Sequence, residues 1–306
     1  MRRRSGSQKG FALVLTLVVT ALLVGVAAEF IHGVYVETSL HRNYLNLQQA
    51  SLMAESGVSG GIALVRGLRS AGNGAPLLQA LAKPQELEDE KGQVSITIEE
   101  EEGKLNLNDV SRPTDTHEIF HPMAQRLLRL LKLPQGAADA LADWVDVNDD
   151  PRPDGAEAAY YQALPSPYLP RNGRAKSFGE IGLVRWLSPA AAQRLRPFAT
   201  VYGDREAINV NTAPKEILMA LHEDMSETLA NAIIDRRRES PIANFGELSG
   251  IPGMQKIAND LGTRIAFKGS TYRFVSRATI GEAVRVVEAV VNVDGIQPKY
   301  LYWREY

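Results

Sequence analysis

The stretch FALVLTLVVTALLVGVAA, residues 11–28, contains no charged side chain and decides how the rest of the chain is interpreted. A run of about 18 to 20 apolar residues is long enough to cross the hydrocarbon core of a bilayer as a helix. The ten residues before it, MRRRSGSQKG, include four that are Arg or Lys. Because a basic flank stays on the cytoplasmic side, the pattern predicts a single membrane span with the remaining chain on the far side.

The residues alone leave three interpretations of this segment open. Val26-Ala27-Ala28 resembles the small-residue site of a cleaved signal peptide. An ordinary uncleaved anchor is the second interpretation. The third is a prepilin-type leader, residues 1–10, cut between Gly10 and Phe11 so that the helix is retained. Apolar residues recur three to four apart beyond residue 28, which predicts a helix over 11–70 and favours the third interpretation.

Composition narrows the classes of protein that fit. The 306 residues are 44% hydrophobic, which indicates a globular chain of one large or two smaller domains. A formal net charge of −2 argues against a general nucleic-acid-binding protein. The absence of cysteine excludes thiol catalysis, disulfide exchange and thiolate metal sites.

Strand patterns lie at both sides of a long helical segment. Residues 93–99 alternate polar and apolar side chains, and two β-rich runs near the C-terminus are joined by Gly281-Glu282. The pattern predicts an α+β fold in which residues 85–104 and 269–306 form a small antiparallel sheet. An α-helical insert, residues 105–268, splits this sheet.

The insert contains an internal repeat. LNLN (105–108) matches INVN (208–211), AADALADW (137–144) matches LANAIIDR (229–236), and FGEI (178–181) matches FGEL (245–248). We therefore expect two helical units resembling SAM and helix-hairpin-helix modules, at about 105–200 and 206–268. The first unit has an additional loop between its second and third elements, where insertions are often functional.

That additional loop is a candidate calcium site. Oxygen ligands fall at the offsets of an EF-hand-like loop, supplied by the side chains of Asp146, Asn148, Asp150, Asp154 and Glu157 and by the carbonyl of Arg152. Pro151 stands where such loops carry glycine, so we predict Ca²⁺ binding by oxygens rather than an EF-hand domain. Asp143 is a further candidate member of this acidic cluster. The alternative is a solvated acidic loop without an ion.

Two further motifs suggest other functions. His117-Glu118-Ile119-Phe120-His121 has the H-E-x-x-H form of zinc hydrolases, but Pro122 follows it and we expect the helix to start only at Met123. Residues 208–213 with the glycine-rich 245–253 resemble helix-hairpin-helix DNA-binding modules, and Arg236–Arg238 supply a basic run. A zinc metallohydrolase and an anchored DNA-binding protein therefore remain as alternatives.

The motifs taken together, and in order, resemble a known family. They are Lys9-Gly10-Phe11, Ala54-Glu55-Ser56-Gly57, Leu105–Asp109, Asp143-Trp144, Gly155-Ala156-Glu157 and Asn209–Pro214. The chain resembles type II secretion system protein K, a minor pseudopilin. The resemblance implies a non-enzymatic, pilin-like subunit of the inner membrane with a periplasmic C-terminal domain, processed and methylated by prepilin peptidase. It also implies bound calcium.

The same resemblance implies partners and explains one residue. The expected partners are minor pseudopilins I and J and, through the pseudopilus, major pseudopilin G, with no nucleic acid. Leu15, the fifth residue after the predicted cut, stands where most pilins carry a Glu that neutralises the preceding subunit's N-terminal amine. A subunit with no neighbour above it loses nothing by omitting that carboxylate, so Leu15 fits the pseudopilus tip. The alternative is that Leu15 is simply the ordinary residue of a membrane helix.

Overall fold

In the computed structural model, which describes residues 7–70, 81–89, 92–111, 119–204 and 206–306, the chain begins with one long helix. This helix, α1 (Ser7–Ser70), is exposed from residue 10 to residue 44 and is long and apolar enough to cross a membrane. Its last third is different: Ala50, Ala54, Val58, Ile62 and Val65 are buried against a sheet. Their spacing of three to four residues places them on one helical face.

The sheet under α1 has five antiparallel strands in the order β1-β2-β7-β8-β9. The strands within the described residues are β1 (Gln85–Asp89), β2 (Gly92–Glu100), β3 (Leu105–Asn106), β4 (Ala199–Thr200), β5 (Ile208–Asn209), β6 (Ile265–Ala266), β7 (Thr271–Ile280), β8 (Ala283–Asn292) and β9 (Lys299–Glu305). Gly281, at φ 58°, makes the tight β7–β8 turn that the sequence predicts. β2 precedes the insert and β7 follows it. Because these two strands pair, the sheet is completed only after the chain has passed through the insert.

Short helices make up the insert between β2 and β7. They are α2 (Phe120–Leu130), α3 (Ala137–Val145), α4 (Ala158–Gln162), α5 (Pro189–Leu195), α6 (Lys215–Leu221), α7 (Glu227–Glu239), α8 (Phe245–Ser249) and α9 (Met254–Leu261), with 3-10 turns at Leu107–Asp109, Phe178–Leu183 and Gly262–Arg264. These elements share one apolar core. The predicted α+β fold, with a long helix and a split sheet, is therefore confirmed.

Equivalent asparagines hold the two halves of the insert in the same way. Asn108 donates to the carbonyls of Ala175 and Val201 and accepts from the amide of Ala175. Asn211 makes the corresponding bonds to Ile242 and Phe267. Each half also opens with a two-residue parallel pairing, β3 with β4 and β5 with β6. The matched LNLN and INVN stretches thus perform the same structural task twice.

A buried ion network joins the sheet to the insert. Arg273 of β7 donates to Glu101 (Nε to Oε1, 3.0 Å) and to Glu288 of β8. On the insert side, Lys104 donates to Glu101 at 2.9 Å and Arg196 donates to Glu288 at 2.8 Å. Burial alone would raise the pKa of Glu101, but the charges of Lys104 and Arg273 outweigh it and lower that pKa to about 2.

Candidate metal centre

Three carboxylates meet at the end of α3. Asp143 and Asp146 are three residues apart at its C-terminal turn, so they share a helical face, and Glu157 precedes α4. One ligand oxygen of each lies within 4.8 Å of the others. The loop can approach Asp143 because residue 155 is glycine: a Cβ there would lie 1.8 Å from Asp143 Oδ2. The structure thus brings predicted ligands Asp146 and Glu157 together with Asp143.

The cluster has the properties of a cation site. Asp143 is 0% and Glu157 3% exposed, and both Glu157 oxygens and Asp146 Oδ1 are buried without a hydrogen-bond partner within the described chain. Burial raises the pKa of Glu157 most, and the negative charges of Asp143 and Asp146 raise it further, to about 7. Hard cations such as Ca²⁺ prefer carboxylate oxygens. These unpaired oxygens therefore fit the predicted ion.

The guanidinium of Arg152 places one positive charge within the carboxylate cluster. Arg152 Nη1 donates to Asp143 Oδ1 at 2.8 Å and to Asp146 Oδ2 at 2.9 Å. Arg152 Nη2 donates to Ser111 Oγ at 3.1 Å, and this hydroxyl donates to Asp146 Oδ2 at 3.0 Å. The side chain of Arg152, rather than its carbonyl, therefore faces the carboxylates, and the carbonyl accepts from the Gly155 amide.

The other predicted ligands lie at the rim of the loop. Asn148 Oδ1 accepts from the Asp150 amide, and the side chain of Asp150 is exposed. The amide of Asp154 donates to Asp139, and its carbonyl accepts from Trp186. The carboxylates of Asp150 and Asp154 lie outside the group formed by Asp143, Asp146 and Glu157. Their part in binding an ion stays a prediction.

Arg185 and Trp186, which no sequence pattern indicated, form a clamp that holds the loop between α3 and α4. Arg185 Nη1 donates to the Gly155 carbonyl at 2.7 Å, and its guanidinium lies 4.7 and 4.6 Å from the ring centroids of Tyr160 and Trp186. Trp186 Nε1 donates to the Asp154 carbonyl at 2.9 Å. Trp186 has φ 71°, a strained conformation for a bulky residue that persists only when surrounding contacts impose it.

Only part of the H-E-x-x-H motif that suggested a zinc hydrolase lies within the described residues. His117 and Glu118 lie outside the described residues, while His121 Nε2 pairs with Asp139 Oδ1 at 2.9 Å. The expectation that the helix starts at Met123 is wrong, because α2 begins at Phe120. Pro122 is accommodated in the first turn, where a backbone N–H has no intrahelical partner.

The basic run suggesting DNA binding is engaged within the protein. Arg237 donates to the carbonyls of Val210 and Ala213. Arg236 pairs with Glu247, and Arg238 with Asp235. Gly253, at φ 88°, makes the turn before α9 that the hairpin requires. Arg236 and Arg237 therefore stabilise the fold of the second unit, whereas the Arg238 side chain is 72% exposed.

The residues predicted for processing and assembly lie on α1. Gly10, Phe11 and Leu15 are all exposed along its apolar first third. Around the point where the helix first packs on the sheet it has an uncovered side, which includes Tyr44, Leu45 and Leu52. This uncovered side is available to other helices.

The chain is similar to several known proteins. Residues 103–204 and 208–268 each match a family model described as type II secretion system (T2SS), protein K. The type II secretion system protein K of Pseudomonas aeruginosa is 31% identical over 252 residues, covering 78% of this chain and 74% of its own. The corresponding protein of Klebsiella pneumoniae is 26% identical over 270 residues, 81% of each chain.

A solved structure has the same fold. It is a chain in the crystal structure of the GspK–GspI–GspJ complex from the type 2 secretion system of enterotoxigenic Escherichia coli. The two folds match with a TM-score of 0.69 over 88% of this chain and 99% of that chain, at 18% sequence identity. At this identity the likeness establishes the pilin-like fold.

Proposed function

The chain belongs to the type II secretion system protein K family, and we propose that it acts as a non-enzymatic minor pseudopilin at the tip of the pseudopilus. The observation that carries this proposal is the 31% identity to a protein K over 78% of the chain. In this role α1 anchors the subunit in the inner membrane and later packs into the pseudopilus, while the sheet and insert form a periplasmic head. Leu15, lacking the usual carboxylate, suits a subunit with none above it.

The proposed partners are minor pseudopilins I and J, with major pseudopilin G further down the pseudopilus. The complex in which the similar solved fold was crystallised contains GspI and GspJ. The uncovered side of α1 carries the exposed apolar side chains of Tyr44, Leu45 and Leu52, and Leu52 is 64% exposed. Helices of I and J would bury this side. Prepilin peptidase would first cut between Gly10 and Phe11 and methylate Phe11.

One preparation tests both processing and partnership. We expect the full chain, co-expressed with prepilin peptidase and minor pseudopilins I and J, to co-purify with both partners and to begin at methylated Phe11. Leu52→Glu should reduce recovery of the complex, because it replaces an exposed apolar side chain on the uncovered helix side with a charge. Leu183→Glu, the same change at an exposed site of the insert, is the matched control. A mature chain beginning near Glu29, or no complex with the unaltered chain, contradicts the proposal.

We also propose that the cluster of Asp143, Asp146 and Glu157 holds Ca²⁺. When bound, the ion would offset two of the three negative charges of the converging carboxylates and fix the loop between α3 and α4. Asp143 and Asp146 would orient it from the rigid end of α3. Glu157, whose two oxygens lack donors in the described chain, would complete the set from the start of α4.

Calcium titration calorimetry of the purified chain tests this site. Glu157→Gln should weaken calcium binding by at least about tenfold, because it removes a charged ligand. Asp150→Asn, at an exposed carboxylate of the same loop, should leave the affinity within about twofold if the three buried carboxylates hold the ion. A large loss with Asp150→Asn alone supports the EF-hand-like ligand order instead. No heat with the unaltered chain overturns the site.

A further inference from the structure

The position of the Arg152 guanidinium conflicts with a bound ion. Its Nη1 lies 2.8 Å from Asp143 Oδ1 and 2.9 Å from Asp146 Oδ2. Calcium binds carboxylate oxygens at about 2.3–2.6 Å. An ion bound to these same two oxygens would lie close to Nη1, and two positive charges at so short a distance repel each other. The guanidinium and an ion bound to these two oxygens therefore compete for them.

We propose that Arg152 is an internal competitor that fills the cation site in the absence of calcium and leaves it when calcium binds. This inference rests on the calcium site proposed above. Without an ion, the buried carboxylates of Asp143 and Asp146 would face each other unneutralised, which destabilises a folded protein. Arg152 compensates both, and the cost of displacing it lowers the affinity for calcium.

The local structure allows this exchange without refolding of the loop. The Arg152 amide donates to Asp143 Oδ2 at 3.1 Å, a bond that does not involve the guanidinium. The clamp formed by Arg185 and Trp186 holds the Gly155 and Asp154 carbonyls independently. The Arg152 side chain is 26% exposed, so rotation about its own bonds moves the guanidinium into solvent. The backbone that carries the ligands stays in place.

Calcium titration of the full detergent-solubilised chain, with and without Arg152→Met, tests the proposal. We expect the variant to bind calcium about tenfold more tightly while its thermal unfolding in a calcium chelator shifts to lower temperature. A purely structural arginine would lower stability without raising affinity. Arg185→Met is the matched control, because Arg185 holds the same loop through the Gly155 carbonyl and pairs with none of the three carboxylates. It should lose stability and gain no affinity.

The outcomes separate this proposal from the calcium site itself. If the unaltered chain binds calcium and Arg152→Met binds it equally or more weakly, only the competitor role is overturned. If neither chain binds calcium, both proposals fail together. Binding by Arg152→Met alone supports a competitor that dominates the site. Should Arg152→Met not fold, Arg152→Lys provides the measurement, with an affinity above that of the unaltered chain because lysine cannot reproduce the paired donors.

Discussion

Replacing Arg273 with methionine should lower the free energy of unfolding by about 3–5 kcal/mol, the loss typical of breaking a buried ion pair on one side. Arg273 is 7% exposed and donates to both Glu101 and Glu288. Without it, Glu101, which is 0% exposed, keeps only Lys104 as a cationic partner among the described contacts. Urea unfolding of the purified chain, followed by tryptophan fluorescence, measures the loss.

The matched control is Arg277→Met, because Arg277 lies on the same strand and sheet face but is exposed. Its effect should stay within about 0.5 kcal/mol. The network also predicts a response to acid. The pKa of Glu101 falls from 4.5 to about 2 on folding, so its contribution is full above about pH 4.5 and disappears as the pH falls towards 2. If Arg273→Met and Arg277→Met lowered the free energy of unfolding equally, the ion network would contribute nothing to stability.

Gly57→Leu should separate α1 from the sheet and destabilise the head by about 2–3 kcal/mol, the range of severe overpacking. A Cβ at residue 57 would lie 2.2 Å from Ser276 Oγ and 3.4 Å from Val94 Cγ2. Both belong to the sheet under α1, so the added side chain has no room unless the helix moves. Thermal unfolding and limited proteolysis of the detergent-solubilised chain detect this separation.

Gly60→Leu provides the comparison within the same turn of helix. A Cβ at residue 60 meets no atom within 4 Å, so leucine there gains helix propensity of up to about 1 kcal/mol without contacting the sheet. Ser276→Gly should recover part of the Gly57→Leu loss, because it removes the atoms nearest the new side chain. If both leucine variants are stabilised alike, the packing of α1 on the sheet is looser than the structure indicates.

Much of the architecture follows from local sequence patterns. The apolar run of α1, the alternating residues of β2 and the Gly281 turn each carry their own signal. The start of α2 was mispredicted because Pro122 usually marks a boundary, yet a proline in the first turn lacks only an N–H that the helix does not use.

The candidate site was harder to predict. Loop spacing identified Asp146 and Glu157, whereas Asp143 depends on the helical end that precedes the loop. The EF-hand template assigned Arg152 a carbonyl role, and no spacing rule indicates that its guanidinium turns back onto Asp143 and Asp146. The clamp residues Arg185 and Trp186 reach the loop only through the tertiary fold.

The continuity of α1 sets the distance between the predicted membrane span and the part of the protein formed by the sheet and the insert. Residues 29–49 lie between the predicted membrane span and the first buried contact with the sheet at Ala50, and at 1.5 Å per residue they form a rod of about 30 Å. Since this segment is helical throughout, it would transmit both push and rotation from a span held in the membrane to the head. A subunit drawn out of the bilayer would carry its head upward as one stiff body, with its orientation retained.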